Sequence, residues 1–206
     1  IALRFEDQSY SYAALNAWAN QIAHFYLSLG AKKGDVVAVM IENRPELIAS
    51  VIGLAKLGVT SALVNTSQVG KVLAHSINLV KPIALIVGEE CGEAVNEIRN
   101  DLNISGERLH WFADQNTQTD PGQAPEGFVN LAEKIDLAPK FNPPTTHSVQ
   151  GKDGLFYIYT SGTTGLPKAV IFTNGRWTLA YGTYGHVLNL NKDDVMYCTL
   201  PLYHAT

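Results

Sequence analysis

Residues 159–170 read Y-T-S-G-T-T-G-L-P-K-A-V, and this stretch decides how the chain is understood. A run of strand-forming residues, Leu155-Phe156-Tyr157-Ile158-Tyr159, leads into it. Four hydroxyl side chains (Thr160, Ser161, Thr163, Thr164) are then interleaved with Gly162 and Gly165, and Leu166-Pro167 leads to one cation, Lys168. Glycine removes side-chain bulk and admits positive φ, so several backbone N–H groups can converge on one point. Hydroxyls add donors and the lysine adds a full charge. An anion rich in oxygens, phosphate above all, matches that set.

The spacing excludes two familiar phosphate binders. A Walker loop needs G-x-x-x-x-G-K-[ST], whereas Gly162 and Gly165 are three apart and Lys168 stands three further on, behind a proline. The dinucleotide fingerprint G-x-G-x-x-G is missing too. An isolated Gly/Thr cluster is usually a plain turn. A single string joining strand, hydroxyl-glycine loop, proline and lysine is a much rarer coincidence.

Upstream, helical and strand patterns alternate. Residues 2–11 predict a hairpin with Asp7-Gln8-Ser9 as its turn. Ser11 can cap a helix in which Leu15, Trp18, Ala19, Ile22, Tyr26 and Leu29 recur at helical spacing, with Gly30 as the stop. Strands are predicted at 36–41, 60–64, 83–87 and 108–112, and helices at 45–57, 67–78 and 93–100. Arg44-Pro45-Glu46 opens a helix, with proline in its first turn and Glu46 complementing the dipole. From 113 to 150 five prolines weaken the pattern, leaving a short helical candidate at 129–135. Strands at 154–160 and 168–172, a helix at 174–187, a turn at 191–194 and a strand at 195–199 complete the chain. Such alternation predicts an α/β fold, mainly parallel sheet flanked by helices. One domain over 1–206 is expected, with lobes at about 1–112 and 151–206 and 113–150 as a connecting region.

Composition narrows the function classes. Apolar residues are 46% and charged residues 17% of the 206, as in an ordinary globular protein. Net charge is −4 with no Lys/Arg-rich run, so a nucleic-acid partner is not expected. The longest apolar stretch, 47–55, is too short to span a bilayer. Two isolated cysteines, Cys91 and Cys198, form neither a disulfide framework nor a metal pattern, and point to a reducing, cytoplasmic setting. The six histidines show no metal-ligand spacing. The chain starts at Ile1, without Met, and stops just past Leu200-Pro201-Leu202-Tyr203-His204, which suggests a segment of a longer protein.

The string Tyr159-Thr160-Ser161-Gly162-Thr163-Thr164-Gly165-Leu166-Pro167-Lys168 resembles the phosphate loop of the adenylate-forming (AMP-binding) superfamily, which includes acyl-CoA synthetases, adenylation domains and luciferases. Tyr157-Ile158-Tyr159 before it and Leu200-Pro201-Leu202-Tyr203-His204 after it resemble the fatty-acid transport protein and very-long-chain acyl-CoA synthetase branch. Ser11-Tyr12, Gly34-Asp35-Val36-Val37, Glu42-Asn43-Arg44 and Leu63-Val64-Asn65-Thr66 follow the order of that branch. The segment from Thr66 to Gly70 departs from the more basic text of the branch.

The resemblance implies the N-terminal portion of an enzyme that joins a fatty acid to ATP as an acyl-adenylate and then to coenzyme A. It implies that Ser161, Gly162, Thr163, Thr164 and Gly165 hold the β- and γ-phosphates. Thr160 would help to hold magnesium, and Lys168 would add charge and brace the loop base. Tyr203 and His204 would line the acyl site. A base role for His204 is not needed, because a fatty carboxylate is already ionised at neutral pH. His75, Trp18 and Trp177 are read as structural. The acidic magnesium ligand, the ribose-binding aspartate and the mobile lysine of the family belong to motifs beyond His204. The segment alone is therefore expected to be inactive. The branch often works at membranes, so peripheral attachment at an inner membrane face is a further expectation. Adenylation of an amino or aryl acid, or a non-catalytic nucleotide-binding or interaction domain, stay open as alternatives, as does the oligomeric state.

Overall fold

The computed structural model of the chain describes residues 1–114, 123–160 and 165–204. A hairpin of β1 (Leu3–Phe5) and β2 (Gln8–Tyr10) opens it, and Phe5 pairs with Gln8. The turn is therefore Glu6-Asp7, not Asp7-Gln8-Ser9, with Glu6 taking a positive φ of 50°. Helix α1 (Tyr12–Ser28) starts where Ser11 accepts from the Ala14 N–H at 3.1 Å. That bond satisfies one of the donors that every helix N-terminus leaves over.

The apolar runs build one seven-stranded sheet. Its strands are β3 (Val36–Met40), β4 (Thr60–Leu63), β5 (Ala84–Gly88), β6 (Leu109–Phe112), β7 (Val129–Asn130), β8 (Gly154–Thr160) and β9 (Lys168–Thr173). The spatial order is β7-β6-β5-β3-β4-β8-β9, with every pairing parallel except β8–β9. Helices α2 (Pro45–Ala55), α3 (Gly70–Leu79), α4 (Gly92–Glu97), α5 (Leu131–Asp136) and α6 (Asn174–Val187) accompany it. The expected α/β architecture is thus present, and β4 pairs with β8 across the two stretches that the prolines separate.

Alternate strand residues face opposite layers, as the period of two in a strand requires. Val37 and Val39 pack with α1, α2 and α5, whereas Ala38 and Met40 pack with α3 and α4. Rightward steps along the sheet (β3 to β4, β7 to β8) use the first face, and leftward steps (β4 to β5, β5 to β6) use the second. These four crossovers therefore share one hand, as the rule for parallel units demands. Helices α1 and α2 meet closely at Gly53, where a Cβ would lie 2.7 Å from the Ala19 carbonyl oxygen.

Two further local expectations fail. Residues 129–130, read as helix, add a strand at the sheet edge, and Asn130 caps α5 by accepting from Glu133 N–H. Residues 195–199, read as strand, pair with nothing among the described residues, and Val195, Met196 and Tyr197 are exposed. Strand propensity reflects packing against neighbours, and here that packing is missing.

Candidate active site

All five internal parallel strands end at the same edge of the sheet, because β3, β4, β5, β6 and β8 run the same way. Ligands of open parallel sheets bind outside these carboxyl ends, where consecutive crossovers leave to opposite faces. That switch lies between β3 and β5, since α2 covers one face and α4 the other. Two of the sequence motifs come to this edge.

The first is the loop. Thr160 ends β8 and Lys168 begins β9, and the two are register partners. Ser161, Gly162, Thr163 and Thr164 lie outside the described residues. Gly165 takes a left-handed φ of 86°, which a side chain would resist. Thr160 and Lys168 are exposed, and among the described residues no carboxylate pairs with Lys168. Helix α3 grips the hairpin from below. Tyr159 Oη donates to the Ser76 carbonyl at 2.8 Å, and His75 Nε2 donates to the Pro167 carbonyl at 3.2 Å. His75, read from sequence as structural, thus bonds to the loop base. A groove of about 600 Å³ opens beside it, lined by His75, Lys81, Tyr157, Pro167 and Lys168 among others.

The second motif is Leu200-Pro201-Leu202-Tyr203-His204. Leu202 and Tyr203 pack against the α1–α2 side of the core. His204 is exposed, with its ring centroid 4.9 Å from that of Tyr203. The backbone of the segment is tied to Asn43, in the turn that leaves β3. Only β4 separates β3 from β8, so the Asn43 turn that holds this segment and the strand that feeds the loop leave the sheet two strand spacings apart, about 10 Å.

A buried charge cluster fixes the same turn. Arg44, 5% exposed, donates to the Ala113 carbonyl at 3.0 Å and pairs with Glu90 at 3.0 Å, Glu46 at 3.5 Å and Asp114 at 3.7 Å. Glu90 also accepts from the Glu42 N–H at 2.7 Å. Burial raises the Glu46 carboxyl, and Arg44 only partly offsets it. Nearby Cys91 is pushed up to about 12 by burial and then by Glu90, so it is an inert thiol at neutral pH. Apart from its place in the Glu42-Asn43-Arg44 string, Arg44 reads in the sequence as a helix opener. The polar triplet Glu42-Asn43-Arg44 straight after a buried strand was the signal that more was there.

The residues present suit a polyphosphate better than a resident metal. A hydroxyl residue and a cation without a carboxylate partner among the described residues are register partners at the loop base, and no group of three His, Cys, Asp or Glu side chains among the described residues could hold a metal ion. Magnesium commonly takes few protein ligands and completes its shell with phosphate oxygens and water. An exposed hydroxyl such as that of Thr160 is compatible with that mode of binding.

A family model described as AMP-binding enzyme matches residues 1–206. The medium/long-chain-fatty-acid–CoA ligase FadD6 of Mycobacterium tuberculosis is 34% identical over 212 residues, covering 99% of this chain and 32% of the relative. Long-chain fatty acid transport protein 1 of Rattus norvegicus is 38% identical over 203 residues, covering 95% and 30%. A solved Mycobacterium tuberculosis fatty acyl CoA synthetase superposes with a TM-score of 0.71 at 25% identity, covering 95% of this chain and 35% of that one. The chain spans about a third of the length of these relatives.

Proposed function

The chain belongs to the AMP-binding enzyme family, and from that premise we propose that it is the N-terminal part of a long- or very-long-chain fatty acyl-CoA synthetase. The observation that carries this is the joint arrival of the loop base, Thr160 and Lys168, and of the Tyr203-His204 segment at one carboxyl edge. The likeness of nearly the whole chain to a fatty-acid–CoA ligase and a long-chain fatty acid transport protein supports the choice of acid.

In the proposed reaction a fatty carboxylate oxygen attacks the α-phosphorus of ATP, an acyl–phosphate bond forms, and pyrophosphate leaves. The coenzyme A thiol then attacks the acyl carbon and AMP departs with the carboxylate oxygen. Negative charge grows on the departing pyrophosphate, and preorganised donors in a site shielded from water oppose it strongly. Ser161, Gly162, Thr163, Thr164 and Gly165 hold the β- and γ-phosphates, and Lys168 supplies charge. Magnesium, with Thr160 as one ligand, would neutralise phosphate oxygens. Tyr203 and His204 orient the carboxylate. Fatty acid, ATP and coenzyme A are thus the partners.

The proposed setting is cytoplasmic, peripheral at the inner face of a membrane. The long apolar substrate and the likeness to a transport protein support it, and no helix among the described residues is long and apolar enough to cross a bilayer.

The two-step scheme is tested in the complete protein with a long-chain acid and ATP. Pyrophosphate should be released in amounts near the enzyme concentration, and sustained AMP release should begin only when coenzyme A is added. Steady AMP release without coenzyme A, or none with it, would refute the scheme.

A further inference from the structure

Asn43 lies just past the carboxyl end of the central strand β3, between two anchored neighbours. On one side the Glu42 N–H is held by Glu90, and on the other the Arg44 guanidinium is buried among Glu46, Glu90 and Asp114. A Cβ on Gly88 would collide with the Glu90 carboxylate, so the glycine that ends β5 leaves room for this anchor. The Asn43 backbone is therefore fixed before its side chain does anything.

That side chain faces a distant segment. Asn43 Nδ2 donates to the Leu200 carbonyl at 2.8 Å, and the Leu202 N–H donates to Asn43 Oδ1 at 2.8 Å. One carboxamide thus engages an acceptor and a donor two residues apart, as the edge of a neighbouring strand would. Among the described residues the segment 195–204 has no strand partner, so the amide supplies the pairing that a sheet would otherwise give.

We infer that Asn43 is a positioning residue for the acid-binding end of the site, holding the backbone of Leu200–Leu202 so that Tyr203 and His204 are presented at the carboxyl edge. This rests on the reading of Tyr203 and His204 as acid-binding residues. Without the clamp, the segment must be ordered each time the acid binds, and that entropy cost falls on the acid and on the step that consumes it. The described base of the phosphate loop is tied to α3 instead, through Tyr159 and His75.

The test uses the complete protein with Asn43→Ala, Asn43→Asp, His204→Ala and the Asn43→Ala/His204→Ala pair. Hydrogen–deuterium exchange over 200–204 reads the clamp without reference to activity. Exchange of the Leu202 amide should rise about tenfold in Asn43→Ala, as expected for losing hydrogen bonds of ordinary strength. Asn43→Asp keeps the acceptor and should fall between, which guards against an alanine variant that simply folds poorly. Acid-dependent pyrophosphate exchange should show the KM for the acid raised about tenfold and kcat lowered, with the KM for ATP within about twofold. The effect of Asn43→Ala should shrink in the His204→Ala background. Unchanged Leu202 exchange, an equal rise in both KM values, or full additivity with His204→Ala would overturn the inference. If Leu202 exchange rises but His204→Ala leaves the acid parameters unchanged, the acid-site reading fails instead of the clamp.

Discussion

The Tyr159 hydroxyl donates to the Ser76 carbonyl at 2.8 Å, tying the strand that feeds the loop to the last turns of α3. Helix ends leave carbonyls without intrahelical partners, and this phenol serves one of them. Burial raises its pKa, so it remains a donor throughout any working pH range. Tyr159→Phe should lower stability by about 1 kcal/mol, the net worth of one such bond. It should also slow adenylation by loosening the loop, whereas Tyr159→Phe in a merely decorative role would leave the adenylation rate at the wild-type value. Paired urea titrations and pyrophosphate-exchange assays separate the two.

Lys168 is exposed and stands opposite Thr160 at the loop base. Exposed substitutions away from special features usually stay within about 0.5 kcal/mol, so Lys168→Ala should keep the wild-type urea midpoint. Removing one charge-stabilising donor can cost roughly a hundredfold in rate, and a drop of that order is expected in adenylation. An unchanged rate would mean that the phosphate site lies elsewhere.

Gly53→Ala tests the contact between α1 and α2. The added Cβ would sit 2.7 Å from the Ala19 carbonyl oxygen and 3.0 Å from Ile22 Cβ, neither of which is a flexible tip. Overpacking of this kind costs about 1–3 kcal/mol, more than the roughly 1 kcal/mol that alanine gains over glycine in a helix. A net loss in the urea midpoint is expected, and a gain would show that the helices separate freely.

His110, on β6, shares a 2.6 Å hydrogen bond with the Tyr26 hydroxyl and packs edge-on against Phe25 and Tyr26. Burial, with the Arg108 charge adding to it, lowers its pKa from 6.5 to about 4. Between those values the unfolded chain binds the proton and the folded chain does not, so stability falls as pH drops from 6.5 towards 4. At most the loss approaches ~3 kcal/mol. His110→Phe should be less stable at neutral pH, because Tyr26 loses its partner, but the gap from wild type should narrow as the pH falls. A pH-independent gap in urea denaturation would contradict the assignment.

Much of this was legible because the signals were local. Continuous apolar runs gave the buried strands, Ser11 and the Leu15–Tyr26 spacing gave α1, and the alternation gave the parallel sheet. What escaped depends on partners far away in the chain. Arg44 read as a helix opener because its carboxylates come from 46, 90 and 114. Asn43 stood in a polar triplet that marked the turn, but its clamp on Leu200 and Leu202 was not legible, since these partners lie 157 and 159 residues away. Residues 195–199 have strand-like composition, but composition does not supply a neighbouring strand.

The central proposal is the acid. The most direct measurement is kcat/KM for AMP formation by the complete protein with ATP, coenzyme A and a panel of long-chain fatty, aryl and amino acids. The value should be highest for long-chain fatty acids, and AMP formation should depend on both acid and coenzyme A. A higher value for an amino or aryl acid would contradict the fatty acyl-CoA synthetase reading.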